Sequence, residues 1–129
     1  MEILFLLWDY NQNKNINYGV INMVENVIKY VSANYQHQLT LKNLADVNGI
    51  SVSYLNHIFK NVTSSSPFEF LIRYRIERAC DFLANGVPAR EAARMSGFND
   101  IFYFGKCFKK QVGTPPGKYK KDIMFQENL

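Results

Sequence analysis

The chain has few of the residues that support catalysis or hold a metal. Its 129 residues include two Cys, Cys80 and Cys107, and two His. These are too few for a disulfide framework or a convincing zinc site. There is no glycine-rich phosphate loop, no nucleophile–base signature and no acidic pair at an inward spacing. We therefore predict a protein that is not an enzyme, needs no cofactor and binds no metal, with both thiols reduced in its core.

Long apolar runs are also missing. No stretch approaches the roughly 20 residues that span a bilayer. Residues 3–8 are apolar but follow Glu2, and no small-residue cleavage site comes after them, so we do not expect a signal peptide here. With 47% hydrophobic and 20% charged residues, the composition is that of a globular protein. We expect a cytoplasmic protein with no membrane partner.

Basic residues are scarce in the first half of the chain and concentrated in the second. Residues 1–59 hold three Lys and four acids, a net charge of −1, whereas residues 60–129 hold twelve Lys or Arg and seven acids, a net charge of +5. This basic half suggests a polyanionic partner.

The first part of the chain reads as three helices after an N-terminal tail of residues 1–17. From Tyr18, apolar residues recur at steps of three and four, which indicates one face of a helix: Ile21, Val24, Ile28, Val31 and Tyr35. Thr40 is an N-cap for a short helix over residues 41–47, and Gly49 stops it. Ser51 is the next N-cap candidate.

The helix after Ser51 has two distinct faces. Leu55, Ile58, Phe59 and Val62 form the apolar face, and Ser53, Asn56, His57 and Lys60 form the opposite one. A short helix, a glycine turn and a second helix at this spacing are typical of a helix-turn-helix unit.

A long helix follows, with the clearest start signal of the chain. Ser66 is the cap, Pro67 occupies the first helical position and Glu69 completes a capping box. We predict a helix over residues 67–84, about 26 Å long, with Asn85 and Gly86 at its end. It carries Arg73, Arg75 and Arg78, and we expect Arg75 to pair with an acid.

The rest of the chain repeats the short-helix, turn and helix pattern. Pro88 opens a helix over residues 89–95 that Gly97 stops, and Asp100 caps the next helix. That helix buries Phe104, Cys107 and Phe108, and it turns Phe102, Gly105, Lys106 and Lys109 outward. Gly113 and the prolines after it end this helix. A last helix around residues 117–122 carries the basic cluster Lys118, Lys120 and Lys121, and we expect the tail beyond it to be frayed.

The second half repeats the first at an offset of 48 residues before the turn and 49 after it, because the second turn has one extra residue. Ala45 and Gly49 fall on Ala93 and Gly97 at an offset of 48. At an offset of 49, residues 51, 54, 55, 59, 60, 67 and 70 fall on 100, 103, 104, 108, 109, 116 and 119. Caps match caps and core residues match core residues. The sequence therefore predicts an all-α chain with two helix-turn-helix subdomains, residues 18–66 and 86–129, joined by a linker helix over residues 67–85.

This arrangement suits double-stranded DNA. A recognition helix fits the major groove, and successive groove segments on one face of B-DNA lie about 34 Å apart. One chain with two units and a stiff spacer could cover two segments as a monomer. Because the spacer is shorter than 34 Å, we expect the DNA to bend.

Residues from about 28 to 121 resemble the DNA-binding domain of AraC/XylS-type transcription regulators. The motifs that carry the resemblance are Leu41-x-x-Leu44-Ala45, Ser51-x-x-Tyr54-Leu55-x-x-Ile58-Phe59-Lys60, Ser66-Pro67-x-x-Phe70-Leu71, Arg75-Ile76-x-x-Ala79, Gly97-Phe98-x-Asp100-x-x-Tyr103-Phe104-x-Lys106-x-Phe108-Lys109-Lys110 and Gly113-x-Pro115-Pro116-x-x-Tyr119. They cover roughly three-quarters of the chain.

The resemblance implies about seven helices, sequence-specific promoter binding and contact with RNA polymerase. It places base reading on the outward faces of the third and sixth helices. The candidate DNA-binding residues are Ser53, Asn56, His57, Lys60, Ile101, Phe102, Gly105, Lys106 and Lys109. We expect the DNA-binding domain alone to be monomeric.

The sequence departs from the family pattern at three positions. Ser64 stands where glycine is usual, which predicts a differently built turn. Phe102 and Gly105 replace residues that are more often polar. Two roles for the sixth helix follow. It reads DNA through Lys106, with apolar contacts from Phe102 or Ile101 to thymine methyl groups, or it contributes mainly affinity and little specificity.

Several alternatives stay open at this point. Phe102 could instead tuck into the core, and the lysines could simply be solvated. The outward faces could dock a protein, which would make the chain a helical protein-interaction module without direct DNA readout. Residues 1–17 could be the stub of an upstream domain, a native tail or an arm packed on the first helix.

Overall fold

The computed structural model describes residues 17–127, and these residues form seven helices and no strand. The helices are α1 (Tyr18–Asn34), α2 (Leu41–Asp46), α3 (Val52–Thr63), α4 (Pro67–Ala84), α5 (Ala89–Met95), α6 (Ile101–Val112) and α7 (Pro116–Glu127). The predicted all-α fold with seven helices is confirmed. The predicted N-terminal tail lies outside the described residues, apart from Asn17.

The described chain divides into two compact units. The first contains residues 17–34 and 39–71, and the second contains residues 35–38 and 72–127. Helix α4 therefore begins in the first unit and ends in the second. No helix within the described range is both long enough and apolar enough to cross a membrane.

In the first unit, α1, α2 and α3 pack against one another around a core of aliphatic side chains and the Phe59 ring. Asn17 immediately precedes helix α1, and its side-chain Oδ1 accepts a hydrogen bond from the Val20 amide at 3.2 Å. The helix buries Ile21, Val24, Val27 and Val31. Ile28, which the predicted stripe included, is half-buried. Val27 and Ile28 are both apolar, and with a helical repeat of 3.6 residues either one can face the core.

Polar side chains fix both ends of α2. Thr40 and Asn43 form a reciprocal capping box: Asn43 N donates to Thr40 Oγ1 at 3.1 Å and Thr40 N donates to Asn43 Oδ1 at 2.9 Å. Beyond the helix, Asn48 Nδ2 donates to the Met23 carbonyl at 2.8 Å and Asn48 Oδ1 accepts from Asn26 at 3.0 Å. These two bonds hold the turn against α1, so the short helix is anchored at each end.

Helix α4 begins as predicted. Pro67 is its first residue, and Ser66 Oγ accepts a hydrogen bond from the Glu69 amide at 3.1 Å. On its exposed side, Arg78 pairs with Asp81 at 3.2 Å and its guanidinium lies 5.2 Å from the centre of the Tyr74 ring. The helix ends at Ala84, two residues before Gly86, which has a left-handed φ of +90°.

The core of the second unit is rich in aromatic rings. Phe104 lies 5.1 Å from Phe98 and 5.6 Å from Phe108, and Phe108 lies 5.5 Å from Tyr119, each distance measured between ring centres. Tilted and edge-on ring contacts at these distances add to the burial of apolar area. The aliphatic part of this core is formed by Ile76, Ala79, Leu83, Ala92 and Ala93.

Arg75 is structural, but its partners are not the acids that we expected. It is buried, and its Nε donates to the Tyr35 carbonyl at 2.9 Å while Nη2 donates to the His37 carbonyl at 2.8 Å. Burial lowers the pKa of Arg75. Two carbonyl oxygens hold the guanidinium, which stays protonated in proteins. Arg75 thus ties residues 35–38 into the second unit.

The two cysteines are free and half-buried. Burial raises the pKa of the Cys80 thiol, and a hydrogen bond with the Tyr119 side chain partly opposes this shift. A thiol with a raised pKa is a poor nucleophile, so Cys80 behaves as a packing residue.

Helix α7 is longer than predicted. It runs to Glu127, whereas the sequence predicted a frayed tail beyond residue 122. No Pro or Gly interrupts residues 118–127, so nothing local breaks the helix. Within the predicted basic cluster, Lys120 Nζ donates to the Gly86 carbonyl at 3.0 Å, which leaves Lys118 and Lys121 as the exposed members.

Candidate nucleic-acid interface

Helix α3 presents a continuous polar face. Ser51 caps its N-terminus, with Oγ accepting from the Tyr54 amide at 3.1 Å. Leu55, Ile58, Phe59 and Val62 turn inward and are buried. The opposite side carries Ser53, Asn56, His57 and Lys60, all of them exposed; we call these four residues the α3 face.

Helix α6 is built in the same way. Asp100 caps it, with Oδ1 accepting from the Phe102 and Tyr103 amides at 2.8 and 3.3 Å. Phe104 and Phe108 are buried, whereas Cys107, which we also expected in the core, is half-buried. The outward side carries Phe102, Gly105, Lys106 and Lys109, which we call the α6 face.

The two faces correspond position by position. At the offset of 49 residues, Ser53 matches Phe102, Asn56 matches Gly105, His57 matches Lys106 and Lys60 matches Lys109. The caps match as well, because Ser51 and Asp100 each accept hydrogen bonds from backbone amides of the first turn. The same helical register therefore exposes equivalent positions in both units, except that Gly105 is half-buried where Asn56 is exposed.

Phe102 lies on the surface. Its side chain is 84% exposed, the largest value among the exposed large hydrophobic residues of the described chain. The alternative that Phe102 tucks into the core is wrong, because helical spacing from the buried Phe104 and Phe108 puts it on the far side. Ile101 is half-buried against the core of the second unit, so it contributes only the edge of its side chain to the α6 face.

No contact within the fold requires a glycine at position 105. A Cβ at this position would meet no atom within 4 Å, and the residue lies inside a helix, where glycine is unfavourable. The lack of a side chain leaves the backbone of α6 accessible to a partner.

The turn after α3 is built like the turn after α6. Ser64 has a φ of +64° and Gly113 a φ of +97°, both left-handed, and the amide of each bonds the carbonyl four residues earlier. The prediction of a differently built turn at Ser64 is wrong. Serine adopts the conformation that glycine usually supplies, at a cost of about 1–2 kcal/mol.

Positive charge differs between the two helices. Helix α3 carries one Lys, Lys60, near its C-terminal end, whereas α6 carries Lys106, Lys109 and Lys110, all exposed. Cations near a helix C-terminus also interact favourably with its dipole. The α6 face can therefore neutralise more phosphate charge, and the α3 face offers more hydrogen-bonding groups that distinguish bases.

Asn61 was not among the predicted site residues. Its Nδ2 lies 3.2 Å from His57 Nε2, and both side chains are exposed. A spacing of four residues puts two side chains next to each other on a helix, and this signal could have identified the pair from the sequence.

Comparison with known proteins assigns the family. Residues 44–122 match the model of a helix-turn-helix domain. The chain is 33% identical over 97 residues to the raffinose operon transcriptional regulatory protein RafR of Pediococcus pentosaceus, covering 74% of this chain and 35% of that protein. It is 35% identical over 83 residues to a putative AraC-like transcription regulator of Streptomyces lividans, covering 64% and 27%.

The fold has a close counterpart among solved structures. The C-terminal domain of the two-component response regulator yesN of Fusobacterium nucleatum superposes with a TM-score of 0.73 at 29% identity, covering 77% of this chain and 98% of that one. The chain spans about a third of the length of the curated relatives that it matches. It belongs to the AraC-type helix-turn-helix domain family, whose members are DNA-binding transcription regulators.

Proposed function

We propose that this domain recognises specific promoter sequences by placing the α3 and α6 faces in adjacent major-groove segments of double-stranded DNA. Residues 18–66 and 86–129 act as the two reading subdomains, and residues 67–85 act as the linker. Ile101 joins the α6 face at its edge. The observation that carries this proposal is the matched register of α3 and α6, each of which has a capped N-terminus. Leu55 and Phe59 are buried like Phe104 and Phe108. The side chains exposed on α3, those of Ser53, His57 and Lys60, match the exposed Phe102, Lys106 and Lys109 on α6.

The residue types suggest a role for each position. The Asn56 amide can bond adenine through two hydrogen bonds, and Lys106 can donate to guanine O6 or N7. Phe102 and the edge of Ile101 can contact thymine methyl groups. Ser53 can bond a base or a phosphate, and Lys60 and Lys109, near the C-terminal ends of their helices, contact phosphates, which positions the protein without reading sequence.

The test uses a duplex selected from a random pool by the protein itself, with a scrambled duplex of the same composition as reference. Asn56→Ala should weaken binding to the selected duplex by about 5- to 100-fold, corresponding to about 1–3 kcal/mol, and weaken the scrambled duplex much less. Lys109→Ala should weaken both about equally and reduce the slope of log K against log salt concentration by about 1.

Lys42 supplies the control for Lys109. It is an exposed Lys of α2 that pairs with Asp46 at 3.4 Å, outside both faces. Lys42→Ala should leave the affinity and the salt slope unchanged. A wild-type protein that binds both duplexes equally, or shows no salt dependence, would contradict the proposal.

We place RNA polymerase as a second partner, since the relatives are named as transcription regulators. The domain binds DNA as a monomer, because one chain carries both faces. It acts in the cytoplasm, where it neither catalyses a reaction nor takes up a cofactor.

A protein partner on the α6 face is the second candidate, favoured by the 84% exposure of Phe102. Aromatic side chains with this exposure are typical anchors of protein interfaces. If Phe102→Ala leaves DNA binding intact but abolishes binding to purified RNA polymerase, this candidate is supported over thymine contact.

A further inference from the structure

The pair of His57 and Asn61 lies on the exposed side of α3, with Asn61 Nδ2 3.2 Å from His57 Nε2. We propose that Asn61 is a positioning residue that fixes the tautomer of His57, so that His57 presents its Nδ1–H as a hydrogen-bond donor to a base edge. This inference rests on the proposed function, because it assigns a specificity role within the α3 face.

The chemistry of the two groups determines which nitrogen carries the hydrogen. A side-chain amide nitrogen can only donate, so the Nε2 that faces it must accept and carries no hydrogen. A neutral imidazole has one N–H, which is then on Nδ1. Asn61 therefore occupies the accepting nitrogen of His57 and leaves the donating nitrogen for another partner.

A ring restricted to donating distinguishes base edges. In the major groove it can bond guanine O6 or N7, adenine N7 or thymine O4, whereas the cytosine amino group offers it no acceptor. Without Asn61, the ring could present either a donor or an acceptor and would discriminate less. Orientation by a neighbouring side chain is a general way to make a binding group selective.

The second unit lacks an equivalent pair. Lys106 and Lys110 occupy the positions that match His57 and Asn61. Two ammonium groups repel and cannot form a donor–acceptor pair. The positioning device therefore belongs to α3, whose face also carries the side-chain amide and hydroxyl groups of Asn56 and Ser53.

The first measurement uses the free protein. In the full chain with ¹⁵N-labelled histidine, NMR shifts of the neutral ring should report the Nδ1–H form for His57, and Asn61→Ala should reduce its population. Asn61→Asp should invert it, because a carboxylate accepts a hydrogen from Nε2. His37 serves as the internal reference and should not change. A His57 tautomer population equal in wild type and both variants would overturn the inference.

The second measurement is the ratio of affinities for the selected and scrambled duplexes. Asn61→Ala should lower this ratio by about two- to ten-fold. Asn61→Asp should lower it further. The new negative charge repels both duplexes equally, so this repulsion does not affect the ratio. In a His57→Ala background, Asn61→Ala should leave the ratio unchanged. An equal fall in both backgrounds would show that Asn61 contacts DNA itself and would overturn the inference.

The two failures are distinguishable. A wild-type protein without preference for the selected duplex would refute the proposed function, whatever the tautomer. A wild-type protein that discriminates, combined with an Asn61→Ala variant that keeps both the tautomer and the ratio, would refute the positioning role alone. Every variant should keep its free energy of unfolding to within about 1 kcal/mol, since exposed pairs four residues apart and single charges near a helix end contribute little to stability.

Discussion

Gly97 and Gly113 share a left-handed backbone but have different surroundings. A Cβ on Gly97 would lie 2.3 Å from the Tyr35 carbonyl and 2.8 Å from Arg75 Nε, whereas a Cβ on Gly113 would meet nothing within 4 Å. The sequence predicted both as helix stops. The crowding at Gly97 could not be predicted, because the atoms around it are a backbone carbonyl and a guanidinium more than 20 residues away.

Gly97→Ala should therefore destabilise the chain by about 3 kcal/mol, through both steric overlap and left-handed strain. Gly113→Ala is the matched control and should cost about 1 kcal/mol, from strain alone. Urea unfolding of both variants gives the two values. Equal losses would show that the Tyr35–Arg75 contact yields easily and does not constrain Gly97.

Gly105 leads to the opposite expectation for stability. Gly105→Ala should stabilise α6 by about 0.5–1 kcal/mol, because alanine is the better helix former and its Cβ has open space. If DNA approaches the backbone there, the same change weakens DNA binding by about ten-fold, which corresponds to about 1.4 kcal/mol.

Gly117 is the control for Gly105, since it lies in a helix and its Cβ would also meet nothing within 4 Å. Gly117→Ala should leave the affinity for the selected duplex unchanged in a titration followed by fluorescence anisotropy. Full affinity in Gly105→Ala would remove Gly105 from the interface.

At the scale of the helices, caps and faces were predictable because their signals are local. Thr40, Ser51, Ser66 and Asp100 cap the helices that the sequence assigned to them. Hydrogen bonds between residues far apart in the sequence could not be predicted, and Arg75 illustrates the reason. Its partners are backbone carbonyls, which every residue has, so no pattern of residue types identifies them.

The turn at Ser64 and the end of α7 were missed for different reasons. A non-glycine residue with positive φ is uncommon, so composition argued against the conformation that Ser64 adopts. For α7, closeness to the chain end suggested fraying, while the absence of a helix breaker after Gly117 was the better guide.

Cap removal tests whether α3 and α6 depend on their first turns. Ser51→Ala and Asp100→Ala should each lower the free energy of unfolding by about 1 kcal/mol, because backbone amides lose their acceptor. Ser53→Ala, on the exposed face of α3, is the matched control and should change stability by less than about 0.5 kcal/mol. Thermal or urea unfolding provides the comparison. If removing the caps leaves the free energy of unfolding unchanged, tertiary packing alone fixes where these helices begin.

At the scale of the whole molecule, the internal repeat was the strongest evidence in the sequence. It predicted an all-α chain and the positions that each unit exposes. The structure confirms the fold, the exposure of the α3 face and that of Phe102, Lys106 and Lys109, whereas Gly105 is half-buried. Which of these side chains read bases stays a prediction. Exposure shows that a group can reach DNA, whereas base readout depends on the hydrogen bonds that it makes in the complex.

Whether α3 and α6 each read DNA is tested by a methylation-interference and hydroxyl-radical footprint of one protein molecule on the selected duplex. If both helices read DNA, the protein should protect two major-groove segments on one face of the DNA, separated by about one helical turn of roughly 10 base pairs. Asn56→Ala should relax sequence preference in one segment, and Lys106→Ala should do so in the other. A single protected segment, or two segments that both respond only to Asn56→Ala, would contradict the claim that α3 and α6 each read DNA.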